Sequence, residues 1–177
     1  GEWAVIMADG SHHYPKITIA APIVEEWGWL ARRMRPDEIA QHVAVNGDAE
    51  YDANLAAVRF VSTPGPTWMF LAEDGLPVAA GGFCPVRIGV YEAWLVGTME
   101  RWDSHWRSMT RLFRSMCRQF LRSQGVHRVQ ITALASRTAA HDWYERGLGF
   151  HRDGLLPAFC ADGQDAIIFS LTTRTTP

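Results

Sequence analysis

The sequence has 177 residues, of which 47% are hydrophobic and 11% are aromatic. This composition predicts a compact globular protein and excludes a disordered chain. The formal net charge of −2 at pH 7 gives no overall attraction to nucleic acid or to an anionic membrane surface. No apolar run approaches the roughly 18 residues that a membrane-spanning helix needs.

The number and spacing of the cysteines indicate the cellular compartment. The sequence contains three widely separated cysteines: Cys84, Cys117 and Cys160. They form no metal-ligand spacing and no paired framework, so we expect a reducing compartment, the cytoplasm, and no metal.

Residues 1–15 are expected to be a flexible leader, in which residues 1–6 read as a cloning remnant ahead of a start at Met7. Residues 16–177 are then one domain.

The N-terminal third carries mainly helix signals. Weak alternation over residues 16–21 predicts a first strand, and helical spacing predicts helices over residues 24–34 and 51–61. Between them Pro36 begins another helix, with acidic residues at the next two positions, where negative charge favours the helix dipole.

The middle of the chain has strand character instead. Residues 68–72 and 78–86 flank a turn signal of the type Glu-Asp-Gly and predict a hairpin, and residues 90–99 predict a third strand. The pair Gly81–Gly82 lies inside the second run and predicts a bulge or the close approach of another backbone.

A long helix follows over about residues 105–124, because its apolar positions recur every three or four residues. Gly125 then ends it. The opposite side of this helix carries five arginines, which form either a solvated face or a binding surface for an anionic partner. They are Arg107, Arg111, Arg114, Arg118 and Arg122.

The remaining elements suggest how the sheet is assembled. Residues 126–134 predict a strand, residues 137–146 a helix, and residues 150–159 and 166–172 the last two strands. A strand, a crossover helix and another strand imply a parallel pair, and the hairpins imply antiparallel neighbours. The sequence therefore predicts one mixed α/β sheet.

The connection between the third middle strand and the long helix has a chemical use. The strand ends at Gly97-Thr98, and the helix is predicted to begin near Ser104 after a loop of about six residues. The first amides of a helix lack internal partners and carry partial positive charge. They can hold a diphosphate without a lysine.

These features resemble the GNAT (GCN5-related N-acetyltransferase) superfamily over about residues 68–172. The resemblance rests on the run YEAWLVGTMERWDSHW, the long helix, the strand VHRVQITALA and the segment SRTAAHDWYERGLGF. It implies an α/β (α+β) fold with a mostly antiparallel sheet of six to seven strands, a splayed parallel pair and about four helices. In that family acyl-CoA lies in the V-shaped gap between the splayed strands.

The resemblance also implies a set of acetyl-CoA-binding residues. Strand backbone would pair with the pantetheine arm, amides near the helix start would hold the pyrophosphate, and nearby arginines would face anions. His105 would donate to a phosphate, act as a base, or lie at the surface. The implied set is Val96, Gly97, Thr98, Arg101, Ser104, His105, Trp106, Arg107 and Ser108.

Two positions depart from the family pattern. The family's phosphate loop reads Gln/Arg-x-x-Gly-x-Gly/Ala, and alignment on Arg101 puts Ser104 and Trp106 at its two glycine positions. We expect either a shifted phosphate position or a loss of CoA binding. The family also commonly places a tyrosine four residues before the glycine of the closing Gly-Phe pair, whereas Tyr144 precedes Gly149 by five.

A narrower likeness is to GNAT-like proteins encoded by tailed bacteriophages, some of which are internal virion proteins. It rests on the phrases MRPDEIAQ, LAEDGLPVAAGG and AWLVGT, and on the tryptophan before the closing Gly-Phe pair.

Acyl transfer to an amine needs a base for the ammonium proton and an acid for the leaving thiolate. Glu92 lies on the third middle strand, near where some family members keep a glutamate base; the alternative is an exposed strand glutamate. Tyr144 is the candidate acid, since a phenol has an unperturbed pKa near 10; the alternative is a packed aromatic side chain.

The leading hypothesis is an acetyl-CoA-dependent N-acetyltransferase that transfers the acetyl group directly to an amine. The first alternative is a catalytically inactive copy of the fold that serves as a binding or virion protein, and the second is a DNA-base-modifying enzyme. The expected partners are acyl-CoA and an amine acceptor, with a protein partner or homodimer left open. Nucleic acid and membrane are not expected.

Overall fold

The computed structural model describes residues 14–174, so most of the predicted leader and the start at Met7 lie outside the described residues. The described chain forms a seven-stranded sheet in the order β1-β2-β3-β4-β5-β7-β6. Its strands are β1 (Thr18–Ala20), β2 (Thr67–Leu71), β3 (Pro77–Arg87), β4 (Val90–Gly97), β5 (Arg128–Leu134), β6 (His151–Leu156) and β7 (Ala166–Thr172).

Five α-helices and one π-helical turn accompany the sheet within residues 14–174. They are α1 (Val24–Ala31), α2 (Pro36–Asn46), α3 (Ala53–Ser62), α4 (Trp102–Leu121), α5 (Thr138–Asp142) and the π-turn (Trp143–Gly147). Among these residues, no helix is both long and apolar enough to cross a membrane.

The predicted mixed sheet with a splayed parallel pair is confirmed. Strands β4 and β5 are parallel, whereas the other described neighbours are antiparallel. The parallel pairing covers only Val90–Glu92 against Arg128–Gln130. Both strands continue beyond that point, so a gap opens between their carboxyl ends.

The glycine pair in β3 marks a close backbone approach, as predicted. A Cβ atom on Gly81 would lie 2.3 Å from the carbonyl oxygen of Trp94 in β4, and one on Gly82 would lie 2.3 Å from that of Pro66. Any side chain at these positions would push the neighbouring strands apart, because real Cβ contacts do not become this short.

Helices cover both faces of the sheet. On one face the buried side of α4 packs into the main core through Met109, Phe113 and Cys117. On the other face α1 and α3 form a second core, which includes Trp27 of α1 and Phe60 of α3. The gap between β4 and β5 is therefore bordered by different helices on its two sides.

Two predicted elements differ in detail from the structure. Helix α4 begins at Trp102, about three residues earlier than predicted, so the loop before it has only the four residues 98–101. The apolar stripe of α3, formed by Leu55, Val58 and Val61, faces outward. Its buried side is Ala56 and Phe60, because a small alanine lets this short helix lie close to α1 and the sheet.

Candidate functional site

The backbone of β4 alternates between the sheet and the gap. Thr98 N–H donates to the carbonyl of Val78 in β3 at 2.9 Å, and its hydroxyl donates to two carbonyls of the same strand. By the alternation of an antiparallel ladder, Val96 and Thr98 direct their backbone groups to β3, whereas Leu95 and Gly97 direct theirs to the gap. Of the three predicted strand residues, only Gly97 directs its backbone groups to the gap; Leu95, which does the same, was not among them.

The backbone of Gly97 is already bonded. Its N–H donates to Oε2 of Glu38 at 2.7 Å, and its carbonyl accepts from the N–H of Arg35 at 3.2 Å. Pro36 explains this arrangement, because a residue before proline avoids the helical region, and Arg35 is extended with φ −64° and ψ 143°. The chain around Met34 therefore pairs with the end of β4 before α2 begins.

An indole ring covers the same glycine. A Cβ atom on Gly97 would lie 2.6 Å from a ring carbon of Trp102, the first residue of α4. The guanidinium of Arg35 lies 5.1 Å from the centre of this indole, and Trp143 meets it edge to face at 5.4 Å. A pantetheine arm therefore has no free backbone group at Gly97 in this conformation, and Leu95 is the strand residue that remains open to pairing.

The start of α4 offers fewer free amides than predicted. The N–H of Trp102 donates to the carbonyl of Thr98 at 3.1 Å, which leaves the amides of Asp103 and Ser104 in the first turn without an intrahelical acceptor. The Ser104 hydroxyl donates to the Arg101 carbonyl at 3.1 Å, and His105 Nδ1 lies 3.0 Å from the same oxygen.

The other predicted phosphate-site residues have contacts of their own. Arg101 forms an ion pair with Asp74 at 2.7 Å, and the Ser108 hydroxyl donates to the carbonyl of Pro15 at 2.7 Å. Trp106 lies in the second turn of α4 with 42% of its surface exposed, and the Arg107 guanidinium lies 5.3 Å from its ring centre. The ring that packs against Gly97 belongs to Trp102, which sequence reasoning did not single out.

Two cavities lie on opposite sides of the gap. The α2-side cavity, about 400 Å³, is bounded by α2, α3, β4 and β5. The α5-side cavity, about 190 Å³, is bounded by β4, the starts of α2 and α4, α5 and the π-turn. Four described residues line both cavities and form what we call the junction: Glu38, Leu95, Arg137 and Tyr144.

Glu92 lies where β4 and β5 separate, and it lines the α2-side cavity. Its Oε1 accepts a hydrogen bond from the Thr132 hydroxyl at 2.8 Å, and its Oε2 accepts one from Gln130 Nε2 at 3.0 Å. The carboxylate is thus held in a fixed orientation by two side chains of β5. Glu92 thus faces this cavity from the strand, and its role as a base stays a prediction.

Tyr144 is held at the junction by the π-turn. The N–H of Leu148 donates to the carbonyl of Trp143 five residues earlier, at 2.9 Å, which is the π-helical pattern. This wider turn accommodates the extra residue between Tyr144 and Gly149. Tyr144 packs against Phe169 at 5.3 Å, and burial raises its pKa to about 12.

A polar network from α2 spans the gap and was not predicted. Gln41 Nε2 donates to the carbonyl of Thr132 at 3.4 Å, and Gln41 Oε1 accepts from the N–H of Leu134 at 3.2 Å. Glu38, one turn earlier on α2, bonds to Gly97 of β4. Helix α2 therefore connects both splayed strands through two side chains three positions apart, a spacing that brings them to the same face.

Arg137, just after β5, completes this network. Its guanidinium donates to Asp37 Oδ2 at 2.8 Å and to Gln41 Oε1. Although burial alone would raise the pKa of Asp37, the charge of Arg137 holds it below its usual value. The signal in the sequence was MRPDEIAQ, which places a proline at the helix start and polar side chains on one face.

The pKa of Glu38 lies near neutral pH. Burial raises its pKa to about 7, and the Gly97 N–H and the Arg35 guanidinium only partly offset this rise. Near neutral pH both the protonated and the ionised form of this carboxyl group are therefore populated. Among residues 14–174 no three metal-ligating side chains cluster closely enough to hold an ion.

No protein-family model and no curated protein matches the sequence. Solved structures do match: an acetyltransferase of the GNAT family from Bacillus anthracis superposes with a TM-score of 0.69 at 10% identity, over 90% of this chain and 96% of that one. The chain has the GNAT fold. The predicted resemblance is thereby confirmed for the architecture, and the bacteriophage likeness stays a prediction.

Two further structures with the GNAT fold were solved with ligands. A spermidine N-acetyltransferase from Vibrio cholerae, in complex with CoA and spermine, has a TM-score of 0.67 at 12% identity, over 89% of this chain and 96% of that one. The protein yncA from Salmonella typhimurium, with acetyl-CoA, has a TM-score of 0.61 at 15% identity, over 90% and 95%.

Proposed function

We propose that the protein is an acetyl-CoA-dependent N-acetyltransferase that transfers an acetyl group directly to an amine. The observation that carries this proposal is the pair of cavities on opposite sides of the β4–β5 gap, which share Tyr144 and Glu38. Two substrates that enter from opposite sides can meet there without a covalent enzyme intermediate. Holding both in contact removes much of the entropic barrier to a reaction between two molecules.

The α5-side cavity is the proposed donor site. Its walls contain Leu95, whose backbone faces the gap, and the start of α4, whose first amides suit a pyrophosphate. Arg107, together with Ser104 and His105, lies near that helix end. Binding at this place is supported by the two GNAT-fold structures that were solved with acetyl-CoA or CoA.

The donor site needs a rearrangement that the family pattern does not require. Because Gly97 is bonded to α2 and covered by Trp102, the pantetheine arm pairs with Leu95, or displaces the indole. Val96 and Thr98, whose backbone groups bond to β3, then support the strand rather than contact the arm directly.

The α2-side cavity is the proposed acceptor site. One wall is aromatic, since Phe60 and Trp94 stack at 5.7 Å with an angle of 8° between their rings. The carboxylates of Glu92 and Glu38 lie on the same cavity and suit an ammonium group. The spermine complex of the GNAT-fold enzyme from Vibrio cholerae supports an amine as the acceptor class.

The reaction needs one base and one acid at the junction. Glu92 is the base predicted from the sequence, and Glu38 is a second carboxylate on the same cavity. Tyr144 is the proposed acid; because burial raises its pKa to about 12, it is a weaker acid than an exposed tyrosine. It would donate a hydrogen bond that strengthens as charge develops on the sulfur and that ends in transfer of its proton to the thiolate.

Thiol release from acetyl-CoA in the presence of an amine panel tests this proposal. The panel contains spermidine, 2-phenylethylamine and a lysine peptide, and acetylated products are identified by mass spectrometry. We expect Tyr144→Phe to lower kcat by about 10²- to 10⁴-fold with unchanged acetyl-CoA affinity. Glu50→Gln, at an exposed loop position, serves as the matched control with unchanged kcat. Equal kcat in wild type and Tyr144→Phe would remove Tyr144 from the chemistry.

A second candidate function is a binding protein that has lost catalysis. The observation that favours it is the closed state of Gly97, whose backbone groups and surface are taken by Arg35, Glu38 and Trp102. Under this alternative, acetyl-CoA causes no saturable change in stability and no amine of the panel is acetylated. The predicted DNA-modifying alternative gains no comparable support, since Arg114 of the arginine face donates to the Gly147 carbonyl.

A further inference from the structure

We propose that Glu38 of α2, rather than Glu92 of β4, is the group that takes the proton from the attacking amine. This inference rests on the proposed acetyl transfer and names the base of that same site. It departs from the sequence-based prediction, which placed the base on the strand.

Glu38 lies where the two cavities meet. If the thioester enters through the α5-side cavity and the amine through the α2-side cavity, the reacting atoms meet at the junction. Glu38 is the one described carboxylate that lines both cavities, whereas Glu92 lines only the α2-side cavity and Asp37 only the α5-side cavity. A base must lie within hydrogen-bond reach of the proton that it removes.

Hydrogen-bond capacity is the second argument. Both oxygens of Glu92 already accept hydrogen bonds from side chains of β5. In Glu38, Oε2 accepts from the Gly97 N–H, while Oε1 lies 3.7 Å from Arg35 Nη1, beyond normal hydrogen-bond distance. Glu38 therefore holds one oxygen fixed and keeps the other available for a donor that enters the junction.

The charges around Glu38 suit a group that must gain and lose a proton. Arg35 and Asp37 lie beside it on its own segment, Arg137 faces it from the end of β5, and Tyr144 faces it from the π-turn. Burial outweighs the two positive charges and raises the pKa of Glu38 to about 7. The carboxylate is thus basic enough to accept a proton near neutral pH, where an exposed glutamate is a weak base.

The proposed step moves two protons and exchanges a C–S bond for a C–N bond. Glu38 Oε1 removes one proton from the ammonium group, and the free amine attacks the thioester carbonyl carbon, so that a C–N bond forms. The C–S bond then breaks; Tyr144 gives its proton to the thiolate sulfur and takes back the remaining extra proton from the new amide nitrogen. Glu38 releases its proton to water, so one ammonium and one thioester give one amide, one thiol and one proton.

Kinetics against pH separate the two carboxylates. With the best amine of the panel, wild-type kcat/KM should fall about tenfold per pH unit below about pH 7, as one base becomes protonated. Glu38→Gln keeps an acceptor for the Gly97 N–H; it should lose at least about 100-fold in kcat and lose this acidic limb. Glu92→Gln should raise KM, and its kcat/KM should still fall below about pH 7. A Glu38→Gln enzyme with wild-type kcat and an unchanged limb would overturn the proposal.

A second measurement does not depend on turnover. Carbodiimide-activated coupling of ethylamine, read by peptide mass spectrometry, reports which carboxyl groups both the carbodiimide and a small amine can reach. We expect labelling of Glu38 that acetyl-CoA suppresses, and Glu50 labelling that it leaves unchanged. Absence of label on Glu38 would overturn the inference even if acetyl transfer is observed. Label on Glu38 without acetyl transfer or acetyl-CoA binding would instead contradict the proposed function.

Discussion

Trp102 and Gly97 are in direct contact at the point where the donor arm is expected to enter, with a ring carbon only 2.6 Å from where a Cβ atom on the glycine would lie. The contact joins the first residue of α4 to the last residue of β4. Because the ring leaves no room for a Cβ atom, the glycine is structurally necessary.

Gly97→Ala should destabilise the protein by about 1–3 kcal/mol, the usual cost of overpacking a well-packed site. Urea denaturation measures this change in the free energy of unfolding. Gly28→Ala is the matched control, because its new Cβ would meet only the flexible end of Arg32 at 3.3 Å inside α1. There we expect no loss or a gain of about 0.5–1 kcal/mol. Equal effects at both positions would show that Trp102 does not pack as described.

Gln41→Leu should weaken the connection between α2 and β5. The substitution leaves the Leu134 N–H and the Thr132 carbonyl without their side-chain partner and removes a partner of Arg137. An unsatisfied buried polar group costs about 1–3 kcal/mol, so thermal unfolding should occur at a clearly lower temperature. Gln119→Leu, exposed on α4, should change stability by less than about 0.5 kcal/mol.

The stability of the wild type should depend on pH through Glu38. Its pKa is about 7 in the folded chain against 4.5 in the unfolded chain, so the folded state binds the extra proton. Stability from this group is complete below about pH 4.5 and is lost as pH rises through about 7. Relative to Glu38→Gln, the wild type should lose on the order of 3 kcal/mol between pH 5 and pH 8. Parallel stability curves for the two proteins would show that Glu38 does not titrate in this range.

Much of the fold was predictable from the sequence because periodicity and turn residues report local structure directly. The hairpin of β2 and β3, the parallel β4–β5 pair and the long α4 were all expected. The start of α4 was not, because the apolar spacing begins later than the helix, and Trp102 enters the core from a first turn that lacks a side-chain cap.

The site was less predictable, since its polar network joins residues far apart in the sequence. Glu38 and Gly97 are 59 positions apart, and Asp37 and Arg137 are 100 apart. In the sequence, Asp37 and Glu38 are acidic residues that favour the dipole at the start of α2, which explains only their effect on that helix. Glu38 is buried at the gap because Arg35 pairs with β4. Local sequence patterns do not reveal this pairing.

Isothermal titration with acetyl-CoA measures whether the β4–β5 gap receives an acyl-CoA. We predict saturable binding near 1:1, with a free-energy gain in thermal stability of about 2.7 kcal/mol at a hundredfold excess over Kd. Trp102→Ala should change the measured affinity, whereas Trp29→Ala on α1, outside both cavities, should not. A flat titration of the correctly folded wild type would show that the gap does not receive acetyl-CoA.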